Sequence, residues 1–376
     1  MSRLRALLCC LLLPSLSGCG LGYYWQAARG QLALTSAREP VAELLARDDT
    51  DPALREWLRQ AGAMLTFAHA ELALPDNGSY RHYVELDRDY VVWNVFAAPA
   101  LSLQPREWCY PVAGCVSYRG YFREPAAREF AAGLAAQGDD VYVAGALAYS
   151  TLGKLRDPLL STMRRLPPER LAGLLFHELA HQRLYLPGDT RFNESYASAV
   201  ERAGVERWVQ AFGTPVERCR HWRWQARAAR LRDMLAATRS ALAAVYAAAA
   251  PAAARLAEKQ RLLDRLRRDY QALRAGWDRP PYFDAWFGEA LNNAELIALD
   301  AYDGDVPAFR ALLVASAGDF AEFHRRAEAL AGLPAETRRA RLARLAARAP
   351  ALPGPPPGCA LSAGRSPPGR PAASAD

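Results

Sequence analysis

The sequence predicts an α+β protein, mostly helical, in which a small sheet precedes a buried helix and a long antiparallel helical hairpin follows it. Three observations carry this expectation. Residues 79–97 are rich in Tyr, Val and Trp and alternate with the period of two of a half-buried strand, and 116–122 and 139–147 read as further strands. Residues 169–185 form an apolar run entered through Pro167-Pro168 and left through Pro187-Gly188, which is helix punctuation at both ends. Between residues 214 and 277, Trp224, Ala228, Leu231, Leu235 and Leu242, then Leu256, Leu263, Leu266, Tyr270 and Leu273, step by threes, fours and sevens.

The chain starts with a basic pentapeptide containing Arg3 and Arg5, then an apolar run to Leu16 that is too short to span a bilayer. Leu16-Ser17-Gly18-Cys19 resembles the bacterial lipobox. That resemblance implies removal of residues 1–18, lipid on Cys19, and a protein anchored to a membrane it does not cross. Gly20 rather than Asp after the cysteine implies the outer membrane, facing the periplasm. The formal charge of +7 comes from Arg scattered among Ala and acidic residues. Nucleic-acid binding needs a basic patch, so it is excluded as a function class. Four cysteines remain after Cys9, Cys10 and Cys19. An exported compartment permits disulfides. Cys109 and Cys115 flank a turn-rich Tyr-Pro-Val-Ala-Gly and are expected to bridge; Cys219 and Cys359 are left by elimination only.

Residues 20–74 read as helical, with an Asp-Pro start at Asp51. Residues 80–86 and 90–97 read as two strands joined by a turn at Asp87-Arg88-Asp89. A helix over 124–137 ends at Gly138, and the strand 139–147 follows. In 214–277, Pro251 is tolerable at a helix start and disruptive inside one, so two helices in a hairpin are expected, with one kinked rod as the alternative. Residues 277–287 read as a loop, 292–302 and 307–349 as helical, and 350–376, made mainly of Pro, Gly, Ala and Ser, as a disordered tail. Residues 19–349 are then one domain that includes the hairpin.

The chemistry concentrates in residues 174–197. His177-Glu178-Leu179-Ala180-His181 is an H-E-x-x-H motif. Positions four apart share a helix face, so the two imidazoles project side by side at a separation that suits one zinc ion. Glu178 lies about 100° around the helix, where it reaches a water beside the metal without being a ligand. Two imidazoles on a core-facing stripe need partners, and a metal supplies one to both. The third ligand is sought downstream. A short turn folds a second helix, 192–212, back on the first, which brings Glu194 of Asn193-Glu194-x-x-Ala197 near the His pair; Glu201, two turns further along, is held in reserve.

These segments carry a resemblance. The sequence resembles the gluzincin metallopeptidases, where H-E-x-x-H is followed by a helix carrying N-E. More closely, it resembles the predicted zinc aminopeptidase family of proteobacterial lipoproteins, through HELAHQRLY, FNESYASAVE, AYSTLGKLRDPLLSTM and the NNA at 292–294, over most of residues 16–335. It departs from thermolysin-like enzymes in its shorter gap to Glu194 and in Ser198, where they carry Asp. The resemblance implies a zincin-like fold, Zn²⁺ held by His177, His181 and Glu194, and Glu178 as catalytic base. It also implies a strand, 139–147, that runs along the cleft and pairs with an extended peptide substrate; from its position after that strand, Tyr149 to Leu152 is the segment expected nearest the metal. Tyr302, on a helix that returns to the site, is the expected oxyanion donor. Two other functions stay open: a zinc endopeptidase of the cell envelope, and a lipoprotein with structural zinc whose hairpin binds a partner.

Overall fold

The computed structural model describes residues 20–110, 114–277, 284–287, 291–351 and 354–359, without the side chains of residues 20, 21, 285 and 301–303. The expected signal peptide, Cys19 and the tail beyond Cys359 lie outside the described residues.

The N-terminal part is helical with two interruptions. Helix α1 (Gly20–Ser36) leads through the two-residue strand β1 (Glu39–Pro40) into α2 (Val41–Ala46) and α3 (Pro52–Glu71). Asp51 caps α3 by accepting from the N–H groups of Ala53 and Leu54, with Pro52 in the first turn, as the Asp-Pro start predicts. The inner face of α3 buries Leu58, Ala61, Met64, Phe67 and Ala68.

Three small sheets follow. Strand β2 (His82–Val84) pairs antiparallel with β1 and parallel with a later strand, β8 (Leu159–Leu160), while β3 (Val92–Pro99) lies in a different sheet. The expected hairpin across Asp87-Arg88-Asp89 therefore does not form. Instead the chain leaves β2 through Leu86, whose N–H and C=O both bond the Ser161 hydroxyl, and crosses to the second sheet. The expected strand at 116–122 is also split. A hairpin of β4 (Trp108–Tyr110) and β5 (Gly114–Val116) places Cys109 opposite Cys115, where they are disulfide-bonded, and β6 (Arg119–Tyr121) starts after a bend. Helix α4 (Glu124–Ala136) returns the chain to β7 (Asp139–Ala146), which pairs with all eight residues of β3 in the order β6-β3-β7. The strand β8 (Leu159–Leu160) closes the first sheet beside β2.

Beyond a single-turn 3₁₀ segment come α5 (Pro168–Arg183) and α6 (Thr190–Ala211), then α7 (Pro215–Ala247) and α8 (Ala252–Arg274). The last pair is joined by four residues ending in Pro251 and packs together, so the structure has the hairpin and not the kinked rod. After Asp284–Phe287 come α9 (Asn293–Asp303), α10 (Val306–Ala315), α11 (Phe320–Ala331) and α12 (Ala335–Ala346). The apolar stripe of the hairpin (Leu231, Leu235, Leu242, Leu263, Leu266, Tyr270) packs with Phe287, Leu296 and Leu299. Each such leucine is worth about 1.5–3 kcal/mol when buried. The stripe is core, so it offers no face to a partner. The segment expected to be disordered from Pro350 is tied back at Cys359 by a disulfide to Cys219 on α7.

The main core gathers α3, α5, α6 and α10 to α12 around Phe176, Phe192, Tyr196, Phe309 and Phe323. Inside it the Tyr196 hydroxyl bonds His324 Nδ1 at 2.8 Å and His324 Nε2 donates to the Leu72 carbonyl at 2.8 Å. No helix among the described residues is long and apolar enough to cross a membrane.

Candidate metal centre and its cleft

Helix α5 buries Leu171, Ala172, Leu175, Phe176, Leu179 and Ala180, and this orients His177 and His181 together off one edge of the stripe. Their Nε2 atoms stand 3.1 Å apart. The helix stops at Arg183 and the chain reverses through Pro187-Gly188. Asn193 fastens that reversal. Its side-chain amide accepts from the Leu186 N–H at 2.7 Å and donates to the Leu186 carbonyl at 2.8 Å. Asp189 caps α6 through the Phe192 N–H at 3.0 Å and is held by Arg338 at 2.8 Å. The residue after Asn193 is then delivered to the histidines: Glu194 Oε2 lies 3.2 Å from His177 Nε2 and 3.6 Å from His181 Nε2.

These three donors can hold a metal ion, and the spacing tests the fit. They are all buried and lie within 4.8 Å of one another. A tetrahedral ion with bonds of about 2.0–2.1 Å needs ligand atoms about 3.3 Å apart, and the three separations bracket that value. Among the described residues no fourth His, Cys, Asp or Glu joins the group. Glu201, the reserve carboxylate, approaches from the other side: its Oε2 is 3.2 Å from His177 Nδ1, and Arg170 stands 3.6 Å from its Oε1. Gly173 lies close beneath it: a Cβ there would sit 3.2 Å from the Glu201 side chain.

The electrostatics favour a cation. Burial alone pushes His177 toward the neutral form, yet hydrogen bonds and charge from Glu194 and Glu201 prevail and raise its pKa to about 10. Burial likewise pushes both carboxyls up, and the imidazoles pull them down to about 2, with Arg170 helping at Glu201. A site of two carboxylates around an imidazole pair takes up positive charge, a proton or a metal. Glu178 differs. It lines the cleft, makes no hydrogen bond or ion pair to another described residue, and its pKa is raised, chiefly by burial and against the pull of His177 and His181.

The donors and Glu178 open into a cavity of about 270 Å³. Tyr149, Ser150 and Leu152 line it, as expected of the segment nearest the centre. Buried Asp157 shapes that segment. It accepts from Thr151 N at 2.9 Å and Oγ1 at 2.6 Å, Ser150 Oγ at 3.0 Å and Gln182 Nε2 at 3.2 Å. Of β7, the terminal Ala146 lines the cavity, while nearer its start Asn292 of α9 donates to the Val141 carbonyl at 3.0 Å; Val92 and Asn94 of β3 and the β6 segment, Tyr118, Gly120 and Phe122, line the cavity too. Tyr302 falls on α9, but its side chain lies outside the described residues. The tyrosines that do line the cavity include Tyr118 and Tyr185, and the Tyr118 hydroxyl is held protonated by burial, then by Glu194, Tyr185 and Glu178. Tyr118 was not legible in the sequence, because it reaches the centre from a segment with no motif around it; Tyr185 had a signal, four residues after His181 in the same segment.

Neither the curated proteins nor the solved structures contain a match to the chain. The model of one family does match, over residues 22–342, a span that includes the donor set, Glu178 and every element lining the cleft. The chain belongs to the family described as Putative aminopeptidase.

Proposed function

We propose that the protein is a zinc aminopeptidase anchored to the cell envelope by lipid on Cys19. The observation that carries the reading is a three-donor set, His177, His181 and Glu194, beside a cleft-facing carboxylate, Glu178, that is not a member of that set. A structural zinc site is closed by four protein ligands, whereas a catalytic one keeps a position open. Two imidazoles and one carboxylate suit zinc. The family assignment supports a peptidase, and the lipobox resemblance supports the envelope.

In this reading His177, His181 and Glu194 hold the ion, and Glu201 fixes the His177 tautomer so that its Nε2 lone pair faces the centre. The bound ion supplies Lewis acidity toward the scissile carbonyl and the attacking water. Glu178 takes the proton from that water at its carboxylate oxygen, and its raised pKa brings it closer to neutral pH, where a base works best. The same carboxyl then gives the proton to the leaving amine. Tyr118 donates its hydroxyl hydrogen to the developing oxyanion.

The test is an assay of the purified full chain against amino-acid amides, free peptides and N-terminally blocked peptides. Release of N-terminal residues, abolished by a chelator and restored by zinc, is expected. Hydrolysis of blocked peptides at internal bonds would move the protein to the endopeptidases, and no hydrolysis of any of them refutes the reading.

A further inference from the structure

The helix that follows Cys19 forms one wall of the cleft. Tyr23, Gln26, Ala27, Gly30 and Leu34 fall on one face of α1 at helical spacing, and Tyr23 and Ala27 line the cavity. Gln26 makes an unusual pair of bonds from that face. Its Nε2 donates to the Gly120 carbonyl at 3.4 Å, and its Oε1 accepts from the Phe122 N–H at 3.1 Å. A side-chain amide that both gives to and takes from one strand copies the pairing of a neighbouring strand.

The edge it occupies is the outer edge of β6. Arg119 and Tyr121 face Val95 and Trp93 in the ladder with β3, so the main-chain groups of Gly120 and Phe122 point outward. The same alternation carries to Tyr118, whose main chain makes no hydrogen bond among the described residues. An extended peptide can therefore add to this edge at Tyr118. Past that point the partners are taken: the Gly120 N–H meets the Tyr23 hydroxyl and the Gly120 carbonyl meets Gln26. Further contacts keep α1 in place. The Arg119 guanidinium lies 4.1 Å from the Tyr23 ring centre, and the Phe122 ring presses so closely on Gly30 that it leaves no room for a Cβ there.

We propose that α1 is the stop that makes the cleft an exopeptidase groove: a bound peptide pairs with Tyr118, Tyr23 and Gln26 end the ladder at Gly120, and the free N-terminus of the substrate sits against Tyr23 and Ala27. The inference rests on the aminopeptidase reading for the identity of the stopped end. The ligand class is a peptide with an unextended N-terminus, and Gln26 is a specificity-determining residue.

The experiment separates binding from turnover. Full-length, zinc-loaded protein carrying Glu178→Gln is titrated calorimetrically with one short peptide, then with the same peptide lengthened by two residues at its N-terminus or at its C-terminus. The N-terminal extension should weaken binding by about tenfold or more, the worth of one or two backbone pairs, and the C-terminal extension should not. Gln26→Ala should recover most of the loss. Gly30→Ala, which pushes Phe122 and α1 apart by a different route, should recover it too. Equal binding of all three peptides overturns the stop. So does a penalty on the C-terminal extension, or an N-terminal penalty that both variants retain. Length-dependent binding with no hydrolysis by the Glu178-intact protein overturns the peptidase reading and leaves the stop standing; no binding of any peptide overturns both.

Discussion

Glu201 meets His177 at Nδ1, 3.2 Å away, on the opposite side of the ring from Glu194. One imidazole thus has a carboxylate at each nitrogen, one beside the His pair and one behind it. The two glutamates are seven residues apart on α6 and have different work. Glu194→Ala should abolish stoichiometric zinc. Glu201→Gln should weaken zinc binding by about 10–100-fold, the usual effect of removing an outer partner of a ligating histidine. Elemental analysis and competition with a chelator distinguish these outcomes; loss of zinc from Glu201→Ala with retention in Glu194→Ala would reverse the assignment.

Glu178 faces the cleft and is no member of the donor group. Glu178→Gln is nearly isosteric, so the protein should keep its zinc while peptide hydrolysis falls by about 10²–10⁴-fold, the usual contribution of a general base. Full activity in this variant, measured beside its zinc content, is incompatible with the proposed mechanism.

Tyr118 should show its role in turnover rather than in binding. Tyr118→Phe should lower kcat by about 10²–10³-fold with little change in zinc content, as for the loss of one oxyanion donor. Tyr302→Phe, assayed in parallel, serves as the comparison, and a larger loss there would return the role to α9.

His324 gives the stability a pH dependence. Burial holds its pKa down to about 4, from an ordinary 6.5, with both ring nitrogens bonded to Tyr196 and Leu72. The folded protein therefore binds fewer protons than the unfolded chain between these values. Its contribution is intact above pH 6.5 and is lost as pH falls toward 4, at about 1.4 kcal/mol per pH unit, or about 3 kcal/mol in all. His221 is held down to about 4 in the same way and adds to the slope. Denaturant unfolding of wild type and His324→Asn across this range should show a shallower acid dependence in the variant; parallel curves would refute the assignment.

The disulfide between Cys219 and Cys359 closes a loop across 140 residues, against six for Cys109 and Cys115. In the chain-entropy model the long bridge is worth about 5 kcal/mol and the short one about 2–3 kcal/mol. Cys359→Ser should therefore cost more stability than Cys115→Ser, by denaturant unfolding; the reverse order would place the stabilisation in local geometry.

By itself, the sequence determined what depends on neighbours along the chain. H-E-x-x-H places His177 and His181 on one face because helical periodicity requires it, and Pro251 divides the hairpin because proline cannot continue a helix. Asp51, Pro168 and Asn193-Glu194 likewise announce a cap, a start and a tight reversal. The tertiary structure decided what depends on strands and segments meeting across the chain. Nothing local to residues 80–97 says that β2 pairs with β8 rather than with β3, since either strand can satisfy the same main-chain groups. Glu194 and Glu201 lie on the same helix, and only the packing of α6 against α5 sends one behind His177 while the other stands beside the His pair. Tyr118 lines the cleft and Gln26 bonds the same sheet edge at Gly120 and Phe122, a meeting set by packing of α1 on that edge and invisible to any periodicity.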